Sequence, residues 1–116
     1  MIIATAPFIA GYRVVETKGQ VFGLVVRSRG MAGNLVAGLR SIVGGEIHEY
    51  TSLLEDTRRQ AIDRMVQNAT LMGANAILSM RFDSTELANT MSEIVAYGTA
   101  VILEPDSAAA AAKTSE

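Results

Sequence analysis

The feature that most constrains the fold is a long amphipathic segment that begins between Glu49 and Ser52 and ends at Leu71 or Met72, just before Gly73. Apolar residues recur there with the period of an α-helix: Tyr50, Leu53, Leu54, Ala61, Met65, Ala69 and Met72 fall on one stripe. Glu55, Asp56, Arg58, Arg59, Asp63 and Gln67 fall on the opposite, wet side. Ser52 and Glu55 stand at capping-box spacing, and Gly73 is placed to end the helix in a left-handed conformation. Glu55 with Arg59, and Arg59 with Asp63, have the spacing of helical ion pairs, each contributing only ~0.2–0.5 kcal/mol. A helix with one apolar stripe needs a second layer, and the chain on either side of it has the composition of strands.

Ile2 to Thr5 favours a short strand that Pro7 interrupts, since proline has no N–H for a ladder, and a turn is expected around Gly11. Tyr12 to Val15 and Gln20 to Arg27 are rich in valine and aromatic residues, with Lys18-Gly19 between them as a turn signal, so two short antiparallel strands are predicted. In the second, Phe22, Leu24 and Val26 point one way and Val21 and Val25 the other, so both faces require cover by helices or a neighbouring subunit. Leu35, Val36, Leu39, Ile42 and Val43 predict a short helix stopped by Gly44-Gly45. After the long helix, Ala76 to Phe82 and Ser92 to Leu103 read as strands, separated by the polar, turn-like stretch Asp83 to Asn89. Gly98 thins the middle of the last strand. The expected fold is therefore α+β: a small single domain over residues 1–105 with a short helix, one long helix and a mostly antiparallel sheet, followed by an alanine-rich tail, 106–116.

At 116 residues the chain has room for one core. Hydrophobic residues make up 49% and charged residues 19%, an apolar balance for so small a domain, and part of that surface is expected to meet another copy of the chain. A formal charge of −2 offers no general attraction to nucleic acid or to an anionic membrane surface. No run approaches the ~18 apolar residues of a membrane span, and the first residues lack the pattern of a signal peptide, so the expected location is the cytoplasm. The absence of cysteine removes disulfides, thiolate metal sites and cysteine nucleophiles from consideration.

The remaining chemistry is sparse. There is one histidine, His48, and no nucleophile elbow, so the chain is expected not to be an enzyme. Glu46, His48 and Glu49 cluster after Gly44-Gly45 and are the candidate ligands of a divalent metal ion. One chain supplies too few strong donors for zinc, but copies arranged about a common axis would each add an imidazole. Arg27, Arg29, Gly30 and Gly33, at a strand-to-helix junction, are the candidate site for a small anion or nucleotide, without the spacing of a dinucleotide fingerprint or a P-loop. The methionines are better explained by core packing than by soft copper(I).

The order Gly44-Gly45-Glu46, Tyr50, Arg58, Ala61, Gly73-Ala74-Asn75-Ala76-Ile77 and Gly98-Thr99-Ala100-Val101 resembles the YbjQ-like family, which carries a heavy-metal-binding label. The likeness covers roughly residues 2 to 104. It implies an α+β subunit that assembles into a ring-shaped homo-oligomer, a pentamer, in which strands of neighbouring subunits complete one another. It carries over no catalytic residues.

Overall fold

The computed structural model describes residues 1–28, 48–87 and 91–106. The predicted short helix, the Gly44-Gly45 stop and the tail beyond residue 106 lie outside the described residues. Four strands, β1 (Ile2–Ile3), β2 (Tyr12–Ser28), β3 (Ala76–Leu87) and β4 (Met91–Pro105), form one sheet in the order β1-β3-β4-β2. The helix α1 (His48–Leu71) packs on it, chiefly over β2 and β4. β1 runs parallel to β3, while β3–β4 and β4–β2 are antiparallel, so the sheet is mixed.

The predicted pair of short strands before residue 28 is instead one strand of 17 residues. Lys18-Gly19 makes no turn. β2 shifts register between Val14 and Glu16 and again between Thr17 and Gly19, and Gly19 takes φ +124° at the second irregularity. Such bulges absorb an extra residue without leaving the ladder, and a glycine signals one as readily as a turn. Asp83 to Leu87, predicted as part of a turn, continues β3 and pairs with β4 from Asp83↔Val95 to Leu87↔Met91. Its polar residues are exposed, and strand pairing through the backbone does not require them to be apolar.

α1 ends as predicted. Gly73 has φ +83°, its N–H donates to the Thr70 carbonyl at 3.0 Å, and the Ala74 N–H donates to the Ala69 carbonyl at 3.1 Å, a Schellman closure. Asn75 follows with a role that the spacing did not reveal. Its Nδ2 donates to the Leu103 carbonyl at 2.9 Å and its Oδ1 accepts from the Leu103 N–H at 2.7 Å. The side chain thus stands in for the missing strand beside the end of β4.

The core lies between α1 and the sheet. Val21 and Val25 of β2, Ala61, Met65 and Ala69 of α1, and Ala96 and Ala100 of β4 are buried there. Thr57 is buried as well, its hydroxyl donating to the Leu53 carbonyl at 2.8 Å. Leu54, predicted in the buried stripe, is exposed, because it borders an open cleft over β3 and β4 instead of the closed core. Gly23 lies directly beneath α1: a Cβ there would run into the Ala61 carbonyl oxygen and the Met65 amide nitrogen. Gly98 sits opposite a bulge in β3 at Ser79, where φ is 54°; a Cβ on it would come within 2.7 Å of Ile77 Cγ2 and 2.9 Å of the Leu78 carbonyl. Gly98 therefore makes room for the bulge rather than merely weakening the strand.

Candidate functional site

Among the described residues the two faces of the sheet are covered unequally. The register Phe22↔Tyr97 and Leu24↔Val95 places these side chains together on the face away from α1. At one end of that face Ala76, Leu78, Val101 and Leu103 are buried beneath Ala4 and Ile9. The covering segment is held by the Ala4 N–H to Ile77 carbonyl bond at 2.9 Å, by Ser79 and Met80 N–H groups donating to the Ala6 and Ala4 carbonyls, and by Arg81 donating to the Thr5 carbonyl at 2.7 Å. It does not reach the other end. There Phe22 is 52% exposed, Val26 45%, Leu24 37% and Tyr97 37%. Contiguous apolar surface of this kind marks an interaction site more often than chance exposure does.

A second feature opens on the α1 side, where the helix leaves the distal parts of β3 and β4 uncovered. A cleft of about 370 Å³ there is bounded by Leu54 and Arg58 of α1, Phe82 and Ser84 of β3, and Ser92 and Ile94 of β4. Asp83 and Glu86 also line it. The Arg58 guanidinium lies 5.2 Å from the centroid of the Phe82 ring, a cation–π contact that fixes where its charge sits.

Of the residues singled out for anion binding, Arg27 lies in β2 opposite Ser92. Its Nη2 is 3.7 Å from Asp56 Oδ2, which also accepts from Gln60 at 2.9 Å, and its Nε is buried with no partner among the described residues. Arg29, Gly30 and Gly33 lie outside the described residues, so the turn that would complete the site does too. Of the candidate metal ligands, His48 and Glu49 are the first two residues of α1, and Glu46 lies outside the described residues. Among the described residues no group of three or more His, Cys, Asp or Glu is placed to hold a metal ion. Arg58 belongs by its helical spacing to the wet face of α1, so the sequence carries no local sign of the cleft.

Among the described residues no helix is long and apolar enough to cross a membrane. The chain is 66% identical over 105 residues to a UPF0145 protein of a Bradyrhizobium species, covering 90% of this chain and 95% of the relative. It is 53% identical over 109 residues to a UPF0145 protein of Methanocella arvoryzae, covering 94% and 91%. A crystal structure of a protein of unknown function from Pediococcus pentosaceus shares the fold, with a TM-score of 0.58 at 16% identity over 90% of this chain and 98% of that one. The YbjQ-like family profile, described as "Putative heavy-metal-binding", matches residues 1–104. The extent of that match and the identity to these relatives establish that the chain belongs to the YbjQ-like family.

Proposed function

We propose that this protein is a non-enzymatic homo-oligomer whose subunits close into a ring, a pentamer, that serves as a scaffold or binding surface in the cytoplasm. The observation that carries the reading is the uncovered apolar end of the sheet at Phe22, Leu24, Val26 and Tyr97. These four residues expose on the order of 300 Å² between them, so covering them contributes ~7 kcal/mol per subunit before the entropy of association is subtracted. A neighbouring copy is the economical cover, because a rotation that closes on itself repeats one contact around a ring without leaving a free end. Light scattering on the purified protein at micromolar concentration tests this: a mass several times the 12.3 kDa subunit is expected, and a clean monomer would overturn the reading.

A second reading is favoured by the family's description and by the position of His48 and Glu49 at the start of α1. In it the oligomer holds a divalent metal ion through His48, with Glu46 and Glu49, each subunit adding one imidazole at a shared axis. Elemental analysis of protein purified without chelators should find bound metal that is lost in His48→Ala. Equal metal in both proteins would eliminate this site.

A further inference from the structure

We propose that the cleft beneath Arg58 binds a small organic monocarboxylate with an apolar body. Three observations lead there. The first is Arg58 itself: its guanidinium rests over Phe82, and among the described residues no carboxylate or carbonyl accepts from its N–H groups. A ring against one side of the guanidinium leaves the donors at its rim available, and their fork matches a carboxylate bidentately. The second is the pair of hydroxyls, Ser84 and Ser92, on the same lining; neither makes a side-chain hydrogen bond among the described residues. The third is the floor, where Leu54, Phe82 and Ile94 present apolar surface suited to a ring or a short aliphatic chain. About 370 Å³ falls at the small end of the range for ligand pockets, roughly 300–1,000 Å³.

Charge decides the class of ligand. Asp83 lines the same cleft as Arg58, so a carboxylate stands there beside the guanidinium. A multiply charged phosphate would meet stronger repulsion from Asp83 than a single carboxylate, which can engage Arg58 and direct its uncharged body toward Leu54 and Ile94. The site is separate from the exposed sheet face at Phe22, which lies on the other side of the sheet.

The test is an amide-shift NMR titration of the full-length protein with sodium benzoate, with benzyl alcohol and inorganic phosphate as comparisons. Saturable shifts are expected at Ser84, Ser92 and Ile94, with a dissociation constant of ~1–5 mM for a ligand of so few atoms. Benzyl alcohol and phosphate should bind at least about tenfold more weakly. Arg58→Gln should weaken benzoate by about tenfold or more, because it removes the cation while leaving an exposed polar side chain. Arg59→Gln, a neighbouring charge outside the cleft lining, should leave binding unchanged. Ser92→Leu, which fills the cleft without altering charge, should abolish it. Any of four results would overturn the proposal: no saturable shift by about 50 mM, shifts mapping elsewhere, phosphate preferred over benzoate, or equal losses in Arg58→Gln and Arg59→Gln.

Discussion

Gly23→Ala is the substitution whose cost follows most directly from the geometry. The added methyl would meet the Ala61 carbonyl oxygen and the Met65 amide nitrogen, and would lie 3.0 Å from the Arg64 carbonyl carbon. The first two are the two ends of one helical hydrogen bond, backbone atoms that cannot swing aside as a side chain can. Relief requires α1 to lift from β2, which loosens the packing of Val21, Val25, Ala61 and Met65 together. Overpacking a well-filled core typically costs ~1–3 kcal/mol, and contact with rigid backbone on both sides places this site at the upper end, about 3 kcal/mol. The exposed bonds from Arg64 and Asn68 to the Leu24 and Phe22 carbonyls add little, since water replaces them. For a domain of this size ~3 kcal/mol lowers the melting temperature by roughly 12 °C. Thermal denaturation followed by circular dichroism measures it, with wild type and variant at equal subunit concentration because assembly would shift both. Gly11→Ala is the control: Gly11 has φ +82° but nothing within 4 Å of a Cβ, so only backbone strain of about 1 kcal/mol is expected. A Gly23→Ala variant melting within about 2 °C of wild type would refute the close approach of α1 to β2.

Asn75→Ala removes both hydrogen bonds to the Leu103 backbone and leaves two partly buried polar groups without partners, a loss of about 2 kcal/mol. Hydrogen exchange should quicken at the Leu103 amide more than at Val101, and unchanged protection at Leu103 would contradict the pairing. Phe22→Asp sets a charge in the exposed apolar end of the sheet. Its folded spectrum should be retained while the scattering mass falls toward the subunit mass, and an undiminished oligomer would exclude this face as the contact.

What the sequence disclosed, and what it hid, divides along the range of the interactions involved. The C-terminal end of α1, its Gly73 closure and the split of Val21 and Val25 from Phe22, Leu24 and Val26 are local, each depending on residues within one or two turns or on strict alternation. The start of α1 differs: it lies at His48, ahead of the predicted start between Glu49 and Ser52, and the helix carries Ser52 inside it. The misreadings arose where a local signal has two structural meanings. Lys18-Gly19 could mark a hairpin or a bulge, and only the 15 residues of β4 beside it decide for the bulge. Asp83 to Glu86 looks like a loop because its side chains are polar, but those side chains are exposed at the open end of the sheet and so have no need to be apolar. Gly23 carried no local hint of the helix backbone that excludes any larger residue. The cleft was least legible of all, because Leu54 and Arg58, Phe82 and Ser84, and Ser92 and Ile94 come from three separate stretches that meet only through the β3–β4 register and the placement of α1.

That placement connects the core to the candidate site. Small residues on both sides, Gly23 on β2, Ala61 and Ala69 on α1 and Ala96 and Ala100 on β4, let the helix settle close to the β2–β4 half of the sheet. A helix so committed to one half cannot also cover the distal part of β3, and there the Arg58 guanidinium lies over the Phe82 ring, which packs on the core beside it. An arginine can fill that role because its aliphatic stem and flat charged end accept an aromatic ring while remaining hydrated. The cleft is thus a consequence of the tight approach at Gly23 and not an independent flaw in packing. Lifting α1 by enlarging Gly23 should therefore change the Arg58–Phe82 contact as well as stability. If Gly23→Ala lowered the melting temperature while the amide shifts of Phe82, Ser84 and Ser92 stayed those of wild type, the cleft would owe its shape to β3 and β4 alone.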